Sequence, residues 1–146
     1  FTRHGDGPLE PRADRGLFYG EPDPLDNSCF AALGRLSERL RQEQRQLLVV
    51  STPLHPQWKV KFDADGHFLA RFDTKLSAAI AGHGGAKYWN ADQEWLAPPG
   101  AFVDAIHLRW SAVHDFSEAL ADQLREAEQA RLGESVLAGS GVYGAP

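Results

Sequence analysis

One segment of the chain carries residues that could perform acid–base chemistry. It runs Phe102-Val-Asp104-Ala-Ile-His107-Leu-Arg-Trp110, with an aspartate and a histidine three positions apart before an amphipathic run. A carboxylate at that spacing can hold the imidazole in one tautomer, so that the other ring nitrogen faces a reacting group. Asp104 and His107 are therefore the candidate catalytic residues. The simpler interpretation is that Asp104 only caps the following helix, as aspartate commonly does.

A serine nucleophile for this pair is not evident in the sequence. Serine hydrolases expose the nucleophile on a sharp turn between a strand and a helix. The chain contains no Gly-Asp-Ser sequence, and none of its serines falls on such a turn: Ser28, Ser37, Ser51, Ser77, Ser111, Ser117, Ser135 and Ser140. The segment therefore indicates either part of a hydrolase whose nucleophile lies elsewhere, or a degenerate hydrolase that has lost its nucleophile.

Three further residues are candidates for substrate contact. His55 and Trp58 follow a short apolar run, and Trp95 lies in a proline-rich loop before the Asp-His segment. Ligands of open α/β sheets bind at the carboxyl ends of the strands, and indole rings suit the apolar faces of sugars. The alternatives are that His55 is a turn residue and that the tryptophans seal a small core.

Composition excludes several classes of partner. The formal net charge of −5 gives no reason to expect nucleic acid. No apolar run approaches the roughly 20 residues that cross a bilayer, so no membrane span is predicted. No set of His, Cys, Asp or Glu residues has the compact spacing of a metal motif, so neither a metal nor a cofactor is predicted. The lone Cys29 is expected to be a small buried residue.

The periodicity of apolar residues predicts an alternation of helices and strands. Helices are expected over residues 27–45, 68–81 and 111–130, and strands over 47–51 and 86–90. Asp26 or Asn27 offers an N-cap for the first helix, and the glycines from Gly82 can take a left-handed cap at the end of the second. This order favours an α/β fold with parallel strands and flanking helices.

The chain divides into three predicted segments. Residues 1–25 read as an irregular arm, 26–130 as one α/β domain and 131–146 as a flexible tail. Two strands are few for a parallel sheet, so either a strand near Leu17–Tyr19 is missed or the sheet is part of a larger one. An open sheet edge seeks a partner, which predicts association with a second copy or with another chain.

The pattern over residues 26–126 resembles the C-terminal half of an SGNH (GDSL-type) hydrolase. The resemblance rests on the strand end Leu48-Val-Val-Ser-Thr-Pro-Leu-His-Pro and on Asp104-x-x-His107-Leu between a strand and a helix. It is closest to the bacterial envelope branch, which includes alginate O-acetylation proteins and proteins that assist D-alanylation of teichoic acids. It implies a flavodoxin-like three-layer fold, partial in this chain, and an extracytoplasmic location.

The same resemblance implies ester chemistry on a small acyl ester or a polysaccharide. A serine would attack the acyl carbonyl, with His107 as base and Asp104 orienting it. Without a serine motif the chain is expected to be inactive unless the nucleophile is supplied from upstream. The alternatives are a non-catalytic glycan-binding or assembly module on the same scaffold, and an α/β domain unrelated to esterases.

Overall fold

The computed structural model describes residues 22–82 and 86–139. Helices dominate, around a two-stranded parallel sheet, which confirms the coarse α/β class. The elements in chain order are α1 (Asn27–Gln42), β1 (Leu47–Ser51), α2 (Pro56–Phe62), α3 (His67–Ala81), β2 (Ala86–Asn90), α4 (Ala91–Glu94) and α5 (Trp110–Gly139). Most of the predicted N-terminal arm, including Leu17–Tyr19, lies outside the described residues, as do residues 83–85 and 140–146.

The two strands pair in parallel over their whole length, from Leu47 opposite Ala86 to the last residues of both strands. Successive side chains of β2 point to opposite faces of the sheet. Tyr88 bonds to Asp73 of α3, whereas Trp89 stacks on Phe116 of α5 with ring centroids 5.6 Å apart. Helices α3 and α5 therefore cover opposite faces of the sheet, and both strands end at the same edge.

Helix α1 begins where the sequence predicts. Asp26 is its N-cap, and the carboxylate accepts a hydrogen bond from the backbone N–H of Ser28 at 2.7 Å. The helix packs on α3, where the ring of Phe30 meets that of Phe72 edge-on at 5.8 Å. It ends before the predicted limit at residue 45 because the chain turns at Gln44, whose φ is 56°.

Helix α3 is started by a side chain from the preceding turn. The carboxylate of Asp63 accepts the backbone N–H groups of Phe68 and Leu69 at 2.8 and 3.0 Å. Gly66 has a φ of 70°, which glycine adopts without steric cost. Gly82, the first of the glycines predicted to offer a left-handed cap, has a φ of −80° and stays in the right-handed region, and the other two lie outside the described residues.

Two short helices were not predicted. Helix α2 follows the strand end directly, with His55 as N-cap and Pro56 at its first position. Proline is well suited to that position because its missing N–H has no partner there and its φ is preset. Helix α4 is a single turn after β2. Neither helix gives a recognisable helical period in the sequence, because both are short and because prolines flank His55 before α2.

Helix α5 continues to Gly139, into the segment predicted as a tail from residue 131. Alanine, leucine, glutamate and arginine are strong helix formers, and together they outweigh the cost of Gly133 in the helix. Cys29 is exposed on α1, so the expectation that it is buried is wrong.

Within the described ranges, no helix combines the length and the apolarity needed to cross a membrane. In the same ranges each strand has one neighbour, so each keeps an unpaired edge. A sheet of two strands is marginal in water by itself. Self-association stays a prediction, and we expect light scattering to show a mass above the monomer that rises with concentration.

Candidate functional site

The predicted catalytic pair is in hydrogen-bond contact. Nδ1 of His107 lies 2.8 Å from Oδ2 of Asp104. The other carboxylate oxygen accepts the backbone N–H groups of Ile106 and His107 at 3.0 and 2.8 Å. The side chain of Asp104 is 14% exposed and that of His107 is 63% exposed. A fixed carboxylate thus orients one nitrogen of a ring that solvent can reach. Asp104 therefore caps its own turn.

The dyad sits at the tip of a loop that we call the dyad loop, residues 101–109. Its two sides are joined by an isolated antiparallel bridge between Phe102 and Leu108. The backbone N–H of Val103 donates to the carbonyl of His107 at 2.8 Å, next to that bridge. Its base is apolar, because Phe102 is buried against Ala112 of α5. The hydrophobic residues on either side of the dyad therefore anchor it.

His55 ties the dyad loop to the carboxyl end of β1. Its backbone N–H donates to the carbonyl of Ala105 at 2.9 Å, and its ring meets that of Phe102 edge-on at 5.3 Å. Its Nδ1 accepts the N–H of Gln57 at 3.0 Å, as the cap of α2. Burial lowers the pKa of His55 below its ordinary value of 6.5. His55 therefore lies against the dyad loop, and its contact with a substrate stays a prediction.

The two tryptophans predicted to contact substrate both pack against phenylalanine rings, and Trp58 is buried whereas Trp95 is half-buried. Trp58 lies in α2, is 7% exposed and packs against Phe62. Trp95 follows α4 and meets Phe116 edge-on at 5.1 Å. The role of both rings in binding stays a prediction.

An apolar rim around the dyad was missed at the sequence level. Val103, Ile106 and Trp110 are 46%, 45% and 68% exposed, although all three are hydrophobic. They alternate with Asp104 and His107 along the chain, and that interleaving was the available signal. Exposed apolar groups around a polar pair are typical of surfaces that a ligand or another protein surface covers.

A cavity of about 420 Å³ opens where both strands end. We call it the sheet-end cavity. Its lining combines hydrophobic walls with a polar floor and comprises Pro22, Leu25, Val50, Ser51, Thr52, Leu54, Trp58, Phe68, Leu69, Phe72, Asp73, Asn90, Asp92 and Gln93. A larger depression of about 680 Å³ is lined by α1 and Glu43 alone and contains none of the predicted site residues.

A chain of hydrogen bonds crosses the floor of the sheet-end cavity. Because a carboxylate only accepts, Tyr88 donates its hydroxyl hydrogen to Asp73, and Ser51 then donates to the Tyr88 oxygen at 2.5 Å. The second oxygen of Asp73 accepts from the amide groups of Asn90 at 2.5 Å and Gln93 at 3.2 Å. Burial, together with the bond to Asp73, raises the pKa of Tyr88 to about 12.

A second carboxylate borders the cavity. Oδ1 of Asp92 accepts the backbone N–H of Leu54 at 2.7 Å and lies 2.6 Å from the Lys59 ammonium. Three buried polar atoms have no hydrogen-bond partner within the described residues: Oγ of Ser37, Oδ1 of Asn90 and Nε of Arg109. Such atoms are rare in proteins, and Asn90 lines the cavity.

Helix α5 carries an exposed trio of His114, Asp115 and Glu118, whose ligand atoms lie within 4.8 Å of one another. Exposed acidic groups gather without a metal in many proteins, and this trio lacks the buried supporting contacts of a built metal site. None of the histidines of the dyad region takes part in it.

No family model, curated protein or solved structure matches this chain.

Proposed function

We propose that this chain supplies the acid–base half of an SGNH-type serine esterase or O-acyltransferase. Its substrate class would be acyl esters of a carbohydrate or cell-envelope polymer outside the cytoplasm. The observation that carries the proposal is the His107–Asp104 contact at 2.8 Å, with a carboxylate fixed by two backbone N–H groups beside an exposed imidazole.

The pair has the geometry of a catalytic base and its orienting group. With Nδ1–H bonded to Asp104, the lone pair of the neutral imidazole is on Nε2, on the opposite side of the ring. A serine hydroxyl there would give its proton to Nε2 as its oxygen bonds to the acyl carbon. The imidazolium would then protonate the departing alcohol as the ester C–O bond breaks.

The surroundings of the dyad support the same proposal. A parallel sheet between helices, with the dyad near its carboxyl edge, is compatible with part of a flavodoxin-like three-layer fold. The hydrophobic rim of Val103, Ile106 and Trp110 suits an acyl group or the surface that carries the nucleophile. The serine itself belongs, in this proposal, to a segment outside the given sequence.

The hydrolysis of p-nitrophenyl acetate tests the dyad without a serine, because an imidazole attacks this activated ester directly. Nε2 bonds to the acetyl carbon, p-nitrophenolate leaves, and water hydrolyses the acetylimidazole. We expect the chain to exceed the rate of its His107→Ala variant, and Asp104→Asn to lose most of the excess because the ring loses its orienting carboxylate.

His114→Ala is the matched control. That imidazole is also exposed, but its nearest carboxylates lie 3.7 and 3.8 Å away, beyond hydrogen-bond distance. We expect this variant to keep the rate of the unmodified chain. Equal, background-level rates in the chain and in His107→Ala would remove the claim that the dyad is a working base.

A non-catalytic glycan-binding module is the second candidate. It is favoured by Trp110, which is 68% exposed three positions after His107 and presents an aromatic surface beside a polar pair. Glycan titration followed by tryptophan fluorescence tests it, with Trp110→Ala as the variant that should lose the response. A fluorescence response that survives in Trp110→Ala, or none across diverse polysaccharides, contradicts this candidate.

A further inference from the structure

We infer that the sheet-end cavity binds a small organic cation, with a primary ammonium group at Asp73 and an apolar or aromatic body against the walls. The residues that line the cavity do not include the dyad loop. The inference is therefore independent of the proposed ester chemistry and would stand if that chemistry failed.

The first argument is charge. The three groups that bond to Asp73, from Tyr88, Asn90 and Gln93, are all neutral donors. Within the described ranges no basic side chain forms an ion pair with Asp73, whereas Asp92 is paired with Lys59. The cavity thus has two carboxylates and one ammonium group, so one negative charge remains for a ligand to neutralise.

The second argument is unmet hydrogen bonding. Asn90 is 9% exposed, and its Oδ1 has no donor within the described residues. Both donors to Asp92, from Leu54 and Lys59, use Oδ1, which leaves acceptor capacity on Oδ2. Acceptors are therefore in surplus, and an ammonium group brings three donors.

The third argument is the wall. Trp58, Phe68 and Phe72 contribute aromatic rings, and Leu54 and Leu69 contribute aliphatic surface. Aromatic faces attract cations, and bonds between an ammonium group and a carboxylate are the stronger, charge-assisted kind. The volume of about 420 Å³ lies within the range of small-molecule pockets. The combination fits an amine with an apolar body.

A bare metal ion fits the same cavity less well. The Lys59 ammonium lies 2.6 Å from Oδ1 of Asp92 and already neutralises that carboxylate, so Asp73 is the one carboxylate among the described lining residues left to balance a divalent charge. Calcium takes about six to eight oxygen ligands, and the hydrophobic walls supply none.

The test is a titration of the isotope-labelled full chain with three probes of similar shape: benzylammonium, benzyl alcohol and benzoate. The side-chain amide signals of Asn90 and Gln93 report on the cavity by NMR. We expect benzylammonium to shift both signals to saturation in the millimolar range, as a ligand of this size allows. Benzyl alcohol should bind about tenfold more weakly without the charge-assisted bond, and benzoate should not bind.

Asp73→Asn removes the charge at the floor, and Asp115→Asn makes the same change on the exposed face of α5. Asn90 can rotate its amide so that Oδ1 accepts from the new side chain, which helps the first variant to fold. We expect benzylammonium to bind Asp73→Asn about tenfold more weakly. It should bind Asp115→Asn with unchanged affinity.

Several outcomes would overturn the inference. They are equal affinity for benzylammonium and benzyl alcohol, shifts that lie outside the cavity, and the absence of any response in the unmodified chain. The same shifts on addition of calcium chloride alone would assign the cavity to a metal instead. Because the comparison of probes uses the unmodified chain, it decides the matter even where Asp73→Asn fails to fold.

Discussion

The dyad loop and the sheet-end cavity both place carboxylates near the carboxyl ends of the strands, but different kinds of contact hold them. Asp104 is held by groups two and three positions away in the chain. Asp73 is held by Tyr88, Asn90 and Gln93, which belong to other elements. A site made of local contacts can be predicted from the spacing of residues in the sequence. A site made of long-range contacts forms only when the chain folds, so spacing does not predict it.

The largest expected difference between the two regions is in packing. Trp58 at the cavity wall is 7% exposed, and Trp110 beside the dyad is 68% exposed. Trp58→Ala should lower the free energy of unfolding by about 3 kcal/mol, the low end for a buried aromatic, because the cavity already borders the ring. Trp110→Ala should change it by no more than about 0.5 kcal/mol.

Urea denaturation followed by far-ultraviolet circular dichroism measures both variants, since it does not depend on tryptophan signal. Similar losses of stability in Trp58→Ala and Trp110→Ala would show that the cavity wall is not part of the folded core, and the contrast between the regions would be lost.

The next difference lies in the carboxylates. Asp73→Ala leaves the hydroxyl of Tyr88 and the amide of Asn90 without their acceptor in a partly buried place, which should cost about 2 kcal/mol. Asp104→Ala frees two backbone N–H groups in an exposed loop, where water replaces the acceptor, and should cost about 1 kcal/mol. The reverse order, read from urea midpoints at constant slope, would contradict the difference in burial.

Sequence periodicity and spacing predicted both strands, the positions of α1, α3 and α5, and the Asp104–His107 contact. Each of these depends on residues close together in the chain. The bond from Tyr88 to Asp73 depends on which face of β2 meets α3, and the pairing register of the two strands decides that. Helix α2 was missed although Pro56 marks its start, because its 7 residues, about two turns, are too few for a helical period to show.

The two regions meet at His55, and pH tests that junction. Burial lowers the pKa of His55 below 6.5 in the folded chain. At pH values between this lowered pKa and 6.5, the unfolded chain therefore binds more protons than the folded chain. Stability should be complete above about 6.5 and should fall as the pH drops through that window. His55→Asn keeps a side-chain cap for α2 without titrating, so its stability should vary less over the same pH range.

Thermal melting between neutral and mildly acidic pH measures this effect, with His114→Asn as the control for loss of an exposed imidazole. We expect the control to keep the pH dependence of the unmodified chain. If the stability of His55→Asn fell with pH as steeply as that of the unmodified chain, protonation of His55 would not be the cause of the loss.

The smallest expected effect isolates the cavity floor from the dyad loop. The pKa of Tyr88 is raised to about 12 by burial and by its bond to Asp73, so its phenol should ionise after an ordinary tyrosine with a pKa of 10. As the pH rises, the tyrosine of the unfolded chain ionises first, and stability should therefore fall between these two pH values.

Phenolate absorbance in the near ultraviolet measures the titration, and Tyr88→Phe should remove its last phase. Asp73→Asn should bring that phase to lower pH, although burial keeps it above 10, whereas Asp104→Asn should leave it unchanged. If Asp104→Asn lowered the pKa of Tyr88 by as much as Asp73→Asn does, the charge of the dyad loop would act on the cavity floor, and the two regions would not be independent.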